Sequence, residues 1–155
     1  MDGLFQTILL FFLQFHFEQA TINASHIKGE FYMKSLHTCV RVQDLEKSVA
    51  FYNDAFGYEE TNRLDYPEAE FTLVYMALPG EKYELELTYN YDHEAYDLGN
   101  GYGHIALGTD DLKAKHKELS SKGYEVTDLK GLSDGAANYF FAIDPDGYKI
   151  EVVKI

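Results

Sequence analysis

The chain is poor in cysteine, in cationic side chains and in long apolar runs. It has 1 cysteine, Cys39, among 155 residues. That excludes an intramolecular disulfide framework and fits a reducing compartment, the cytoplasm. Lys and Arg number 13 against 26 Asp and Glu, a formal net charge of −13. Nucleic-acid binding needs the opposite sign, and so does attraction to an anionic membrane surface. The negative charge is spread along the chain, so it marks no acidic tail. At this length, with 46% hydrophobic and 25% charged residues, the composition suits one globular domain with a proper core.

The usual catalytic signatures are missing too. There is no GxxxxGK[ST], no GxGxxG after a strand, no G-x-S-x-G, no HExxH and no CxxC. The longest apolar stretch, LFQTILLFFLQFHF (4–17), is broken by Gln6 and Gln14. It is too short for a membrane-spanning helix. It also lacks the positive flank and small-residue cleavage site of an export signal. KGEFYM (28–33) is what a purine-rich ribosome-binding site followed by a short spacer would spell if translated. Residues 1–32 are therefore expected to be an extension ahead of a start at Met33, and they set His16 and His26 aside. The domain is expected over 33–155.

From Met33 onward, no linker or low-complexity run interrupts the chain. LHTCVRV (36–42) reads as a strand. Asp44 is placed to cap a helix carrying Leu45, Val49, Tyr52 and Phe56 on one stripe, and Gly57 to end it. Strands are expected at 58–64, 70–77 and 83–89, and a connector at 91–101. The order then recurs. HIALGT (104–109) is a strand, Asp110 or Asp111 caps a helix with Leu112, His116 and Leu119 on one face, and Gly123 closes it. Strands follow at 124–129, 138–143 and 148–153, with an Asp-Pro-Asp-Gly turn (144–147) before the last. The fold class is α+β, two βαβββ modules at about 33–91 and 102–155.

Residue matches support the repeat. His104 answers His37, Asp111-Leu112 answers Asp44-Leu45, Gly123-Tyr124-Glu125 answers Gly57-Tyr58-Glu59, and Tyr148 and Glu151 answer Tyr83 and Glu86, each between 65 and 67 positions on. Shared cap and turn chemistry explains the Asp-Leu and Gly matches. It does not explain a His at the start of the first strand and a Glu on the last strand of each half. If the sheets pack on one another or on a partner's sheets, two imidazoles and two carboxylates can meet around a divalent ion. Such a set suits octahedral coordination, and the two carboxylates neutralise the ion.

Other ionisable residues have plainer readings. Glu84 lies on the same strand face as Glu86 and Thr88 and reads as solvated. His116 reads as a packed or half-exposed helix residue, and His93 as solvated in the connector. Cys39 shares a strand face with His37 but reads as a small core residue rather than a nucleophile.

Residues 33–155 resemble glyoxalase I (the lactoylglutathione lyases) of the vicinal oxygen chelate superfamily. The stretches that carry the resemblance are LHTCVRVQDLEKSVAFY, YELELTYNYD, GYGHIAL and DPDGYKIEVV, in the family's order. The resemblance implies paired βαβββ modules in a homodimer. Each shared site would take His37 and Glu86 from one chain and His104 and Glu151 from the other. It implies a divalent metal, Ni2+ or Co2+ ahead of Zn2+. It implies isomerisation of the methylglyoxal–thiol hemithioacetal, normally that of glutathione, to S-D-lactoylglutathione through an enediolate. Glu151 is the expected base, with Glu86 opposite. Arg41 would pair with a carboxylate of the thiol carrier, and Asn90 would bond its backbone. One departure stands out: in GLSDGAAN (131–138), Asp134 stands where relatives often have a cation, which leaves room for another thiol or another electrophile beside glutathione. Another superfamily enzyme (epimerase or thiol transferase) and a metal-free small-ligand binder are the alternatives; a ring-cleaving dioxygenase would want three protein ligands, and four candidates argue against it.

Overall fold

The computed structural model describes residues 33–131 and 136–155, and Leu36–Ile155 forms one compact unit. The expectations for residues 1–32 and for Asp134 lie outside the described residues.

The first half is a four-stranded sheet with one helix. Strand β1 (His37–Arg41) leads into helix α1 (Leu45–Phe56), then β2 (Glu59–Tyr66), a 3-10 turn at Pro67–Ala69, β3 (Phe71–Ala77) and β4 (Glu84–Asn90). Asp44 caps α1 by accepting from the Lys47 N–H at 3.1 Å. Gly57 ends it in the left-handed conformation, φ 77°, where a side chain would be strained. The helix carries the chain across the sheet, and the meander β2–β3–β4 brings it back. The order is β1-β4-β3-β2, with β4 parallel to β1 and antiparallel to β3. The strands that carry His37 and Glu86, β1 and β4, are thus neighbours.

The second half repeats this plan with β5 (Ile105–Thr109), helix α2 (Leu112–Ser121), β6 (Tyr139–Ile143) and β7 (Lys149–Lys154), in the order β5-β7-β6. Asp111, not Asp110, is the cap, accepting from the Ala114 N–H at 2.9 Å. The strand expected at 124–129 is not continuous. It meets β6 in isolated bridges, Val126–Ala142 and, just beyond it, Lys130–Tyr139, with backbone bonds from the Thr127 N–H to Phe141 and from the Ile143 N–H to Glu125. The cause is local. The Thr127 carbonyl is engaged by His116 Nε2 at 2.9 Å, and the Thr127 hydroxyl takes the Phe141 N–H instead, at 3.0 Å. His116 is therefore a structural residue, edge-on to Phe140.

One face of each sheet builds a common core. Val40, Val74, Met76, Leu85 and Leu87 join Phe51, Tyr52 and Ala55 of α1, while Phe140, Ala142, Ile150 and Val152 join Leu112 and Leu119 of α2. Strand alternation sends the remaining residues to the opposite face. The Asp-Pro-Asp-Gly turn latches the halves together. Asp144 Oδ2 accepts from Tyr52 at 2.9 Å, and its Oδ1 accepts from the Asp146 and Tyr148 N–H groups. Asp146 in turn accepts from the Gln43 N–H and the buried Ser48 hydroxyl. Gly147, at φ 89°, lets the turn close.

Candidate active site

His37 opens β1, and Glu86 lies on β4 opposite Cys39. A parallel register with this two-residue stagger brings His37 Nε2 to 3.3 Å from Glu86 Oε2. The second half reproduces the arrangement. Glu151 on β7 lies opposite Ala106, two residues after His104, and His104 Nε2 is 3.2 Å from Glu151 Oε2. An aromatic ring from the strand beside each glutamate's own stands edge-on to each histidine: Tyr75 of β3 at 5.5 Å and Phe141 of β6 at 5.6 Å. All these side chains occupy the face away from the core. Glu86 is nevertheless buried, whereas Glu151 is half-buried.

The pairs are not ion pairs held far from other chemistry. Two adjacent ligands at metal bond lengths of about 2.0–2.2 Å stand roughly 3 Å apart around one ion. Both Nε2–Oε2 separations suit that, and the donor set of imidazole nitrogen and carboxylate oxygen suits a divalent transition metal. Among the described residues, no group of three or more His, Cys, Asp or Glu gathers in one place. The chain therefore brings the four candidate ligands together two by two, each pair within its own half.

Electrostatics separates the two glutamates. Burial pushes the Glu86 carboxyl upward. Hydrogen bonds from Tyr75, Cys39 and Thr88, with the nearby His37, outweigh it and hold the group below the usual carboxylate range. Thr88 Oγ1 donates to Glu86 Oε1 at 2.9 Å. The Cys39 thiol is exposed, not the core residue expected, and sits 3.2 Å from Thr88 Oγ1. Desolvation and the Glu86 carboxylate push it up, against Thr88 and Arg41. A thiol kept protonated is a poor nucleophile.

Arg41 and Asn90 share the face of His37 and Glu86, further along β1 and β4. Arg41 is exposed, and Asn90 Nδ2 donates to Tyr96 at 2.9 Å. Glu84 accepts from Thr61 Oγ1 at the β2 bulge, and His93 stacks on Tyr96, so both are occupied elsewhere. Two surface cavities, of about 510 and 520 Å³, lie against α1 and include none of the four candidate ligands. Sequence reasoning missed two things: the Asp144–Asp146 latch, which looks like an ordinary turn, and Tyr75, which the alignment of the two halves sets against Phe141.

Known proteins fit this geometry. Residues 34–152 match the sequence profile of the Glyoxalase/Bleomycin resistance protein/Dioxygenase superfamily. A lactoylglutathione lyase of Neisseria meningitidis is 43% identical over 125 residues, covering 79% of this chain and 91% of that protein. One of Salmonella typhimurium is 39% identical, covering 79% of this chain and 93% of that protein. The structure of the trypanothione-dependent glyoxalase I of Leishmania major superposes with a TM-score of 0.71 at 34% identity, over 79% of this chain and 87% of that one. With its doubled sheet-and-helix plan and its repeated His–Glu pair, the chain belongs to the glyoxalase superfamily and, within it, to the lactoylglutathione lyases.

Proposed function

We propose that the protein is a metal-dependent lactoylglutathione lyase that isomerises the hemithioacetal of methylglyoxal and a thiol in the cytoplasm. The observation that carries this reading is the pair of His–Glu contacts, His37–Glu86 and His104–Glu151, at matching places in the two halves. Their spacing suits a divalent ion, and the resemblance to the short lactoylglutathione lyases, rather than the ligand set, puts Ni2+ or Co2+ ahead of Zn2+. Each chain supplies two half-sites, so the complete site is read as shared: His37 and Glu86 of one copy face His104 and Glu151 of a second. Metal binding then stabilises the homodimer, and dimerisation strengthens metal binding.

A divalent ion bound there supplies Lewis acidity, which makes the substrate C–H proton removable. The chain's own groups do the rest. Glu151, whose described contact is the His104 ring, takes the proton from one carbon and returns it to its neighbour. Glu86 is tied by Thr88 and stays in place. Arg41 forks onto a carboxylate of the thiol carrier, and Asn90 hydrogen-bonds its backbone. The acidic chain gives an anionic tripeptide little steering, so the thiol carrier is an open choice within this reading.

The test is an assay with methylglyoxal and several thiols on metal-free protein refilled with Ni2+, Co2+ or Zn2+, following the thioester. Activity restored by stoichiometric metal is expected. No thioester with any metal and thiol, or no metal uptake in calorimetry, overturns the reading in favour of a binding protein.

A further inference from the structure

The two halves hold the same ligand pair in unlike surroundings. The strand neighbours of Glu86 are Cys39 on β1 and Tyr75 on β3, and Thr88 follows on the same face. The matching neighbours of Glu151 are Ala106 on β5, Phe141 on β6 and Val153. Each hydrogen-bonding residue around Glu86 is thus apolar around Glu151. Thr88 Oγ1 ties Glu86 Oε1, leaving Oε2 toward His37. The Tyr75 ring stands edge-on to His37, and the β3–β4 register sets Tyr75 directly opposite Glu86, on the same sheet face. Phe141 repeats the ring contact with His104 but has no hydroxyl to offer. Within the single chain the side chain of Glu86 is 11% exposed and that of Glu151 21%, so the chain's own residues enclose Glu86 more tightly.

Neighbours that hydrogen-bond a metal ligand fix its orientation and raise metal affinity. A carboxylate without them turns more freely about its own bonds. We propose that Tyr75, acting with Thr88, is a positioning residue that fixes Glu86 as the stationary metal ligand, while Phe141 at the matching place leaves Glu151 free to release the ion and carry the proton. This rests on the metal-site reading above. It adds what that reading lacks: a structural reason why two glutamates with the same partner take different roles.

Tyr75→Phe removes one hydroxyl and keeps the ring contact, so the fold is not at stake. Phe141→Tyr makes the reverse change. Binding of Co2+ alone, by calorimetry and visible absorption, is compared among wild type, Tyr75→Phe, Thr88→Val, Thr88→Ser and Phe141→Tyr, with kcat and KM alongside. Tyr75→Phe and Thr88→Val are expected to weaken Co2+ binding roughly tenfold and to alter the visible band, while Thr88→Ser retains wild-type affinity. Phe141→Tyr is expected to hold Co2+ at least as tightly yet lower kcat several-fold at unchanged KM, because Glu151 is now tethered. Wild-type Co2+ affinity in both Tyr75→Phe and Thr88→Val overturns the proposal, as does full turnover in Phe141→Tyr. A wild-type protein that takes up no Co2+ overturns the metal reading itself, which is a distinct result.

Discussion

Replacing Asp144 by alanine should cost more stability than any change at the exposed sheet faces. The carboxylate accepts from the Tyr52 hydroxyl at 2.9 Å and from the N–H groups of Asp146 and Tyr148 at 2.9 and 2.8 Å. Tyr52 is 1% exposed, so its hydroxyl would stay in the core without this acceptor. An unpaired buried hydroxyl costs about 1–3 kcal/mol, and each lost turn bond about 0.5–1.5 kcal/mol. Relief of a desolvated charge offsets part of this, because burial pushes the Asp144 carboxyl above the usual range. About 2–4 kcal/mol remains, or roughly 10 °C in Tm for a domain of this size. Asp144→Asn should keep both turn bonds and reach the Tyr52 oxygen, at a cost of under about 1 kcal/mol near neutral pH. The pH dependence has a definite sign. A carboxyl whose folded pKa is raised contributes stability that is present below its unfolded pKa and is lost as pH rises through the folded value. Asp144→Asn has no such loss, so its deficit against wild type shrinks as pH rises through that window. Urea denaturation followed by circular dichroism at several pH values measures both effects. An alanine variant within about 1 kcal/mol of wild type, or an asparagine variant whose deficit grows with pH, refutes the reasoning.

Three further outcomes follow from the site and surface. Glu151→Gln should lower kcat by about 100- to 10,000-fold, the span of a lost general base, and reduce metal content far less; near-normal turnover contradicts its assignment as base. Arg41→Ala should raise KM roughly tenfold with the anionic thiol carrier while leaving kcat in place, as expected when a charged hydrogen bond is lost; an unchanged KM removes Arg41 from the binding site. Asp54 accepts from Tyr124 and Lys122, and those bonds hold its carboxyl below the usual range. Its contribution is present above the unfolded pKa and is lost as pH falls through the folded value, so Asp54→Asn should flatten the acid limb of the stability profile, and an unchanged acid limb sets that ion pair aside.

Much of the fold could be read in the chain because its elements carry their own punctuation. Asp44 and Asp111 cap the helices, and Gly57 and Gly123 follow them with positive φ. The recurrence of His37 with Glu86 and of His104 with Glu151 is legible in the sequence, and the structure places the two members of each pair side by side. What escaped depends on partners distant in the chain. The strand at 124–129 has the right residues, but at Thr127 one ladder bond is replaced: the carbonyl meets His116 and the hydroxyl takes the Phe141 N–H. Cys39 looked like a core residue because alternation does not say which face is open until the helices are placed. A tyrosine on an alternating strand is equally unremarkable, and only the pairing of β3 with β4 sets Tyr75 against Glu86.

The division of ligands between modules has a genetic corollary. If the centre spans two copies, a chain disabled at Glu86 and one disabled at Glu151 are both dead as pure preparations, yet they complement each other. In every mixed dimer one centre inherits both lesions and the other inherits none. Random re-association of equal amounts would recover about a quarter of normal activity from two inert stocks.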